Sequence, residues 1–130
     1  MKNQGWIRFL FAIAALYDGA IGAIFLVFPD YPFRTFSVTP PNHMGYVQFP
    51  AALLLIFGLL FLAVARDPAR NRNLIPYGIL LKIAYCGITT RYWAAGGLPG
   101  MWKPFVVADV VMGVLFACAY VALRPSTGTD

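Results

Sequence analysis

The chain has 130 residues, of which 60% are hydrophobic and 12% charged, and its formal net charge is +5. A typical soluble domain is about half apolar and about a quarter charged, and one this small needs polar groups over most of its surface. The composition therefore excludes a soluble globular enzyme, a disordered chain and a nucleic-acid-binding domain, and it places the chain in a membrane.

The first apolar stretch runs from Trp6 to Phe28, close to the ~20 residues that cross a bilayer core as a helix. Lys2 and Arg8 near its start resemble the basic end of a signal peptide. The stretch is too long for one, carries Asp18 in its middle and has no small-residue cleavage site before Pro29 and Pro32. It reads as a permanent helix. Ala15, Gly19 and Ala23 repeat at four-residue spacing beside Asp18, a pattern that lets helices approach closely. The segment from Pro29 to Gly45 mixes Tyr31, Phe33, Phe36 and Val38 with Arg34 and Thr35, and is expected to lie against the outer interface as a short helix. His43, the single histidine, stands in this loop without the Cys or Glu neighbours that a zinc or haem site needs.

The second stretch runs from Tyr46 to Val64, with Pro50 expected in its first turn, where a missing N–H costs little. Arg66, Arg70 and Arg72 crowd the following loop. The third stretch, Leu74 to Trp93, contains Lys82, and Tyr85, Cys86 and Thr89 follow it on one helical face. These side chains either line a polar cavity or satisfy themselves on backbone carbonyls. Gly96-Gly97 and Pro99-Gly100 break the chain before the fourth stretch, Pro104 to Leu123, where Gly113 and Ala117 follow Asp109 at four-residue steps. Cys86 and Cys118 differ in height by roughly 10 Å at 1.5 Å per helical residue, so both are expected to be free thiols.

Lipid cannot satisfy open backbone groups, so stretches of this length must be helices. The expected fold is all-α: one integral membrane four-helix bundle over residues 1–130. Lys2, Arg8, Arg66, Arg70, Arg72 and Arg124 fall on one side, against Arg34, Arg91 and Lys103 on the other. This imbalance puts both termini in the cytoplasm. Trp6, Tyr46, Tyr77, Tyr92, Trp93, Trp102 and Tyr120 stand near span ends, where amphipathic rings sit at the headgroups.

Three ionisable residues remain at membrane depth: Asp18, Lys82 and Asp109. Each costs at least ~2.5 kcal/mol there and needs a partner or a purpose. Helical rise puts Asp18 and Lys82 level near mid-membrane, and Asp109 roughly 8 Å below the outer surface. Either Arg91 or an extended Lys82 can meet Asp109. Two roles fit: a structural clasp between spans one, three and four, or a polar site for a ligand, a proton or a quinone headgroup, with hydroxyls from Tyr17 and Tyr85. No intrinsic cofactor is expected, and a quinone or a lipid is the candidate bound molecule. No phosphate loop, Ser–His pairing or paired carboxylates at catalytic spacing are present.

Scattered residues add a resemblance. Tyr17-Asp18-Gly19 with Pro29 ending the first span, Ala51-Ala52-Leu53 with Gly58-Leu59, Gly78-Ile79-Leu80-Leu81-Lys82, and Asp109 followed by Phe116 together resemble the DoxX-like group of small four-helix membrane proteins. That resemblance implies a membrane subunit of an oxidoreductase assembly, such as a thiosulfate:quinone oxidoreductase. Distant four-helix relatives bind sterol-like ligands or isomerise them. The expected function is a non-catalytic accessory or assembly subunit of a bacterial inner-membrane complex, with a lipophilic-ligand or quinone pocket at the charge cluster. Its expected partners are membrane lipids and a larger membrane complex or further copies of itself, with no nucleic acid. The alternative is a small membrane enzyme or transporter using the same charged residues.

Overall fold

The computed structural model describes residues 4–125, and Lys2 of the orientation count lies outside them. The described residues form five α-helices and no strand: α1 (Gln4–Val27), α2 (Tyr31–Thr35), α3 (Gly45–Arg66), α4 (Ile75–Ala94) and α5 (Lys103–Ala122). Short 3-10 turns at Arg72–Leu74 and Gly100–Trp102 lead into α4 and α5. Three helical segments are long and apolar enough to cross a membrane: Gln4–Val27, Gly45–Arg66 and Gly100–Ala122. At 20 residues α4 has the length, but Lys82, Thr89, Thr90 and Arg91 lower its apolar character.

Local chemistry sets the helix ends. Prolines occupy the first turns of α2, α4 and α5, where the absent N–H has no helical acceptor. Pro50 departs from expectation and lies inside α3. The His43 Nδ1 accepts the N–H of Gly45 at 2.9 Å and starts the helix ahead of the apolar run. After α4, Gly96 adopts φ +82°, and Gly97 donates back to the Tyr92 carbonyl at 2.9 Å. This left-handed step is the usual device for ending a helix.

The buried face of each long helix is a narrow stripe. On α1 it comprises Ile7, Phe11, Ala14, Asp18, Gly22 and Phe25, spaced three or four apart as one face requires. On α4 it shrinks to Ile75, Gly78 and Lys82. On α5 it is Val106, Asp109, Phe116 and Ala119. The remaining faces carry exposed apolar residues, among them Leu16, Leu59 and Val114, which suits lipid as the surrounding solvent.

Packing is closest between α1 and α3. A Cβ on Gly22 would stand 2.7 Å from the Ala51 carbonyl oxygen, and one on Gly58 would stand 3.3 Å from the Gly19 Cα. The small residues flanking Asp18, beside a charge that pairs with α4 and α5, point to close packing against those two helices. Ala15 and Gly19 instead receive α3, as does Gly22 on the stripe that carries Asp18. The rings of Phe11, Phe61 and Phe116, from α1, α3 and α5, meet with centroids 4.6–5.9 Å apart. A second cluster at the other end joins Phe25, Phe33 and Trp102. The short helix expected in the first long loop is present as α2, and Phe33 drops from it into this cluster.

Arginines tie the end that holds the α1 N-terminus. Arg8 donates to the Arg66 carbonyl at 2.7 Å and to the Ala65 carbonyl at 3.4 Å. Arg72 donates to the Tyr120 carbonyl at 2.9 Å and lies 3.7 Å from the Tyr120 ring centroid. Both meet the carbonyl-bearing ends of α3 and α5, where the helix dipole favours a cation.

Candidate functional site

Asp18, Lys82 and Asp109 occupy regular positions on the buried stripes of α1, α4 and α5, so helix packing alone turns them toward one another. Lys82 is 2% exposed, Asp18 2% and Asp109 7%. The Lys82 Nζ donates to Asp18 Oδ2 at 3.0 Å and Oδ1 at 3.3 Å, and to Asp109 Oδ1 at 3.0 Å. Asp18 and Lys82 therefore meet as their matched heights predict. Asp109 joins because the Lys82 stem extends to it. Gly113 packs beside that stem, and a Cβ there would stand in ordinary van der Waals contact 3.4 Å from the Lys82 Cβ.

Aromatic rings close around the ammonium. The Lys82 Nζ lies 5.3 Å from the Tyr17 ring centroid and 5.8 Å from that of Phe61, within the range of cation–π attraction. The Tyr17 hydroxyl is buried and has no hydrogen-bond partner among the described residues.

The other polar residues of the third apolar stretch satisfy themselves on backbone. The Tyr85 hydroxyl donates to the Trp102 carbonyl at 3.0 Å, the Cys86 thiol to the Val106 carbonyl at 3.7 Å and the Thr89 hydroxyl to the Tyr85 carbonyl at 2.6 Å. Carbonyl satisfaction holds for all three, and Cys86 also lines a groove between α4 and α5. Tyr85 thus fixes the α4–α5 connection and leaves no hydroxyl free for the cluster. Arg91 stands apart from Asp109. It is exposed, with its guanidinium 5.8 Å from the Tyr92 ring, and Lys82 is the cation that Asp109 meets. Cys86 and Cys118 are both free thiols.

A groove of about 310 Å³ lies between α4 and α5 over this cluster. Lys82, Cys86 and Asp109 line it together with Ile79, Ile83, Val110 and Val114, and the surface they present to it is almost wholly apolar. Gly113 and Ala117 line it as well. The sequence pattern marks these two as close-packing residues. Gly113 does pack against the Lys82 stem of α4, and both residues also border the groove. A second cavity of about 360 Å³ lies among Phe25, Tyr31, Phe36, Met101 and Phe105, with apolar walls. Among the described residues, no three His, Cys, Asp or Glu side chains converge as metal ligands.

The cluster can hold helices together, and it can present charge to a molecule in the groove. The Lys82 ammonium lies within hydrogen-bond distance of three of the four carboxylate oxygens, two of them on Asp18. The set is formally −1, one cation against two carboxylates. No protein-family model matches the chain, and no curated protein or solved structure matches it either.

Proposed function

We propose that the chain is a four-span integral membrane protein of the bacterial inner membrane, with both termini cytoplasmic. It serves as a non-catalytic accessory or assembly subunit, with a pocket for a lipophilic ligand at the Asp18–Lys82–Asp109 cluster. The observation that carries this reading is the groove between α4 and α5, apolar in its surface with the buried Lys82 and Asp109 among its lining residues. Ligand pockets have this construction: mostly apolar lining with a few placed polar groups. The subunit role rests on the residue resemblance to DoxX-like proteins. The fourth span is α4, whose single buried cation is neutralised by neighbours on α1 and α5. That pairing removes most of the penalty a charge incurs in lipid. The excess of Arg around the α3–α4 loop supports the cytoplasmic placement of that end.

Native mass spectrometry of the protein released from membranes in mild detergent tests the reading. The expected result is a complex with a larger membrane protein and a retained small apolar molecule. A bare monomer or homo-oligomer with no bound molecule would overturn it. The second reading, a small membrane enzyme or transporter, draws on the buried Tyr17 hydroxyl beside the charges. It requires that Asp18→Asn abolish turnover or transport in a protein that still folds.

A further inference from the structure

The groove specifies the head of its ligand. The Lys82 ammonium is committed to Asp18, whose two oxygens it bridges, and to Asp109 Oδ1. The fourth carboxylate oxygen, Asp109 Oδ2, receives no hydrogen bond from any described residue. Its side chain is 10% exposed, and Asp109 lines the groove. On the residues that line the groove, the unfilled position is therefore an acceptor, the unpartnered Tyr17 hydroxyl not being among them, and the cluster is formally one negative charge in excess. Other cations are held elsewhere: Arg72 on Tyr120, Arg8 on the end of α3, and Lys103 over the Trp93 ring. A quinone carbonyl is itself an acceptor and would face an acceptor. A head that donates a hydrogen bond and carries positive charge fits both the free oxygen and the charge excess.

We propose that the α4–α5 groove binds a lipophilic cation, an amphiphile with a protonated-amine head seated on Asp109 Oδ2 and an apolar body along Ile79, Ile83, Val110 and Val114. The bound state pairs two cations with two carboxylates. Attraction between the charges is strong at this depth because the surrounding dielectric is low. The proposal rests on the reading of the groove as a ligand pocket and adds the chemical class of its occupant.

The test uses the full chain in lipid nanodiscs and three probes: 4-phenylbutylamine, its uncharged counterpart 4-phenylbutanol, and a short-chain benzoquinone. Binding is measured as the saturable excess over empty nanodiscs. The amine is expected to saturate and to bind at least ten times more tightly than the alcohol. Asp109→Asn is expected to weaken the amine at least tenfold. This variant keeps the Asp18–Lys82 pair. Gly113→Leu keeps all three charges and fills the groove, and it is expected to abolish saturable binding. It decides the matter should Asp109→Asn fail to fold. Equal binding of amine and alcohol, or wild-type amine affinity in Gly113→Leu, overturns the proposal. Saturable quinone binding without amine binding overturns the cation class and leaves the pocket standing. No saturable binding of any probe overturns both.

Discussion

Replacing Lys82 by Met separates a charge clasp from an incidental contact. Methionine keeps the length and apolar stem of the side chain and removes its ammonium. The change strips the cation from two carboxylates at once, each 3.0 Å from Nζ. Removing one partner of a buried ion pair destabilises by ~3–5 kcal/mol, and here two buried charges lose their partner, so the upper end of that range is expected. The single carboxylate variants behave differently. Asp18→Asn removes two of the three charged hydrogen bonds and leaves a one-to-one Lys82–Asp109 pair, so Lys82 is not orphaned. Its expected loss is ~2 kcal/mol, the scale of hydrogen bonds to charged groups. Asp109→Asn removes one bond to a charged group, worth ~1.5–3 kcal/mol, but also removes the unbalanced negative charge and leaves the Lys82–Asp18 pair, so its expected loss is smaller, about 1 kcal/mol. Reversible SDS titration in mixed micelles, followed by tryptophan fluorescence and far-UV circular dichroism, measures all three. A loss under about 1 kcal/mol in Lys82→Met, or an Asp109→Asn loss equal to it, refutes the clasp and the order derived from it.

Gly22→Ala is expected to destabilise the protein by ~1–3 kcal/mol in the same titration, because the added methyl meets α3 backbone that must move away. Gly87→Ala, which meets nothing within 4 Å in the interior of α4, is expected to stabilise by ~0.5–1 kcal/mol through helix propensity. Arg72→Gln loses the Tyr120 stacking and shortens the reach to its carbonyl, and a loss of ~1 kcal/mol is expected. In a background with Cys86 and Cys118 replaced by Ala, Asn71→Cys is expected to react with an impermeant maleimide from the cytoplasmic side and Ser37→Cys from the opposite side. Labelling of both from one face would refute the four-span topology.

The long helices were legible because their signal is simple. Apolar stretches bounded by Pro, Gly and Arg leave little else for a chain in lipid to do, and the helices begin and end within a few residues of those stretches. The Asp18–Lys82 contact was legible from the same geometry, since counting residues from each end gives a height. What could not be read was rotation about the helix axes. A count gives the depth of Gly113 and Ala117 but not whether their face meets a neighbour or lines a groove. It puts Arg91 within reach of Asp109, yet the side chain turns outward onto Tyr92. The polar stripe of α4 was ambiguous for a related reason. A Tyr or Thr hydroxyl finds its acceptor on whichever carbonyl the packing supplies, as Tyr85 does on Trp102.

The third charge carries the functional argument. One lysine and one aspartate suffice to fasten α4 to α1, and they form a neutral pair with two hydrogen bonds. Asp109 adds one bond and a second negative charge. A clasp gains little from that addition, because an unbalanced charge in low dielectric is costly. The connection of α5 to α4 has other supports, among them the Tyr85–Trp102 hydrogen bond and the packing of Phe116 near Gly78. Asp109 is also the carboxylate that lines the groove. Fastening accounts for Asp18 and Lys82. Asp109 is better accounted for by its place in the lining of the groove, and for that reason its replacement is expected to weaken the proposed ligand binding far more than it weakens the fold.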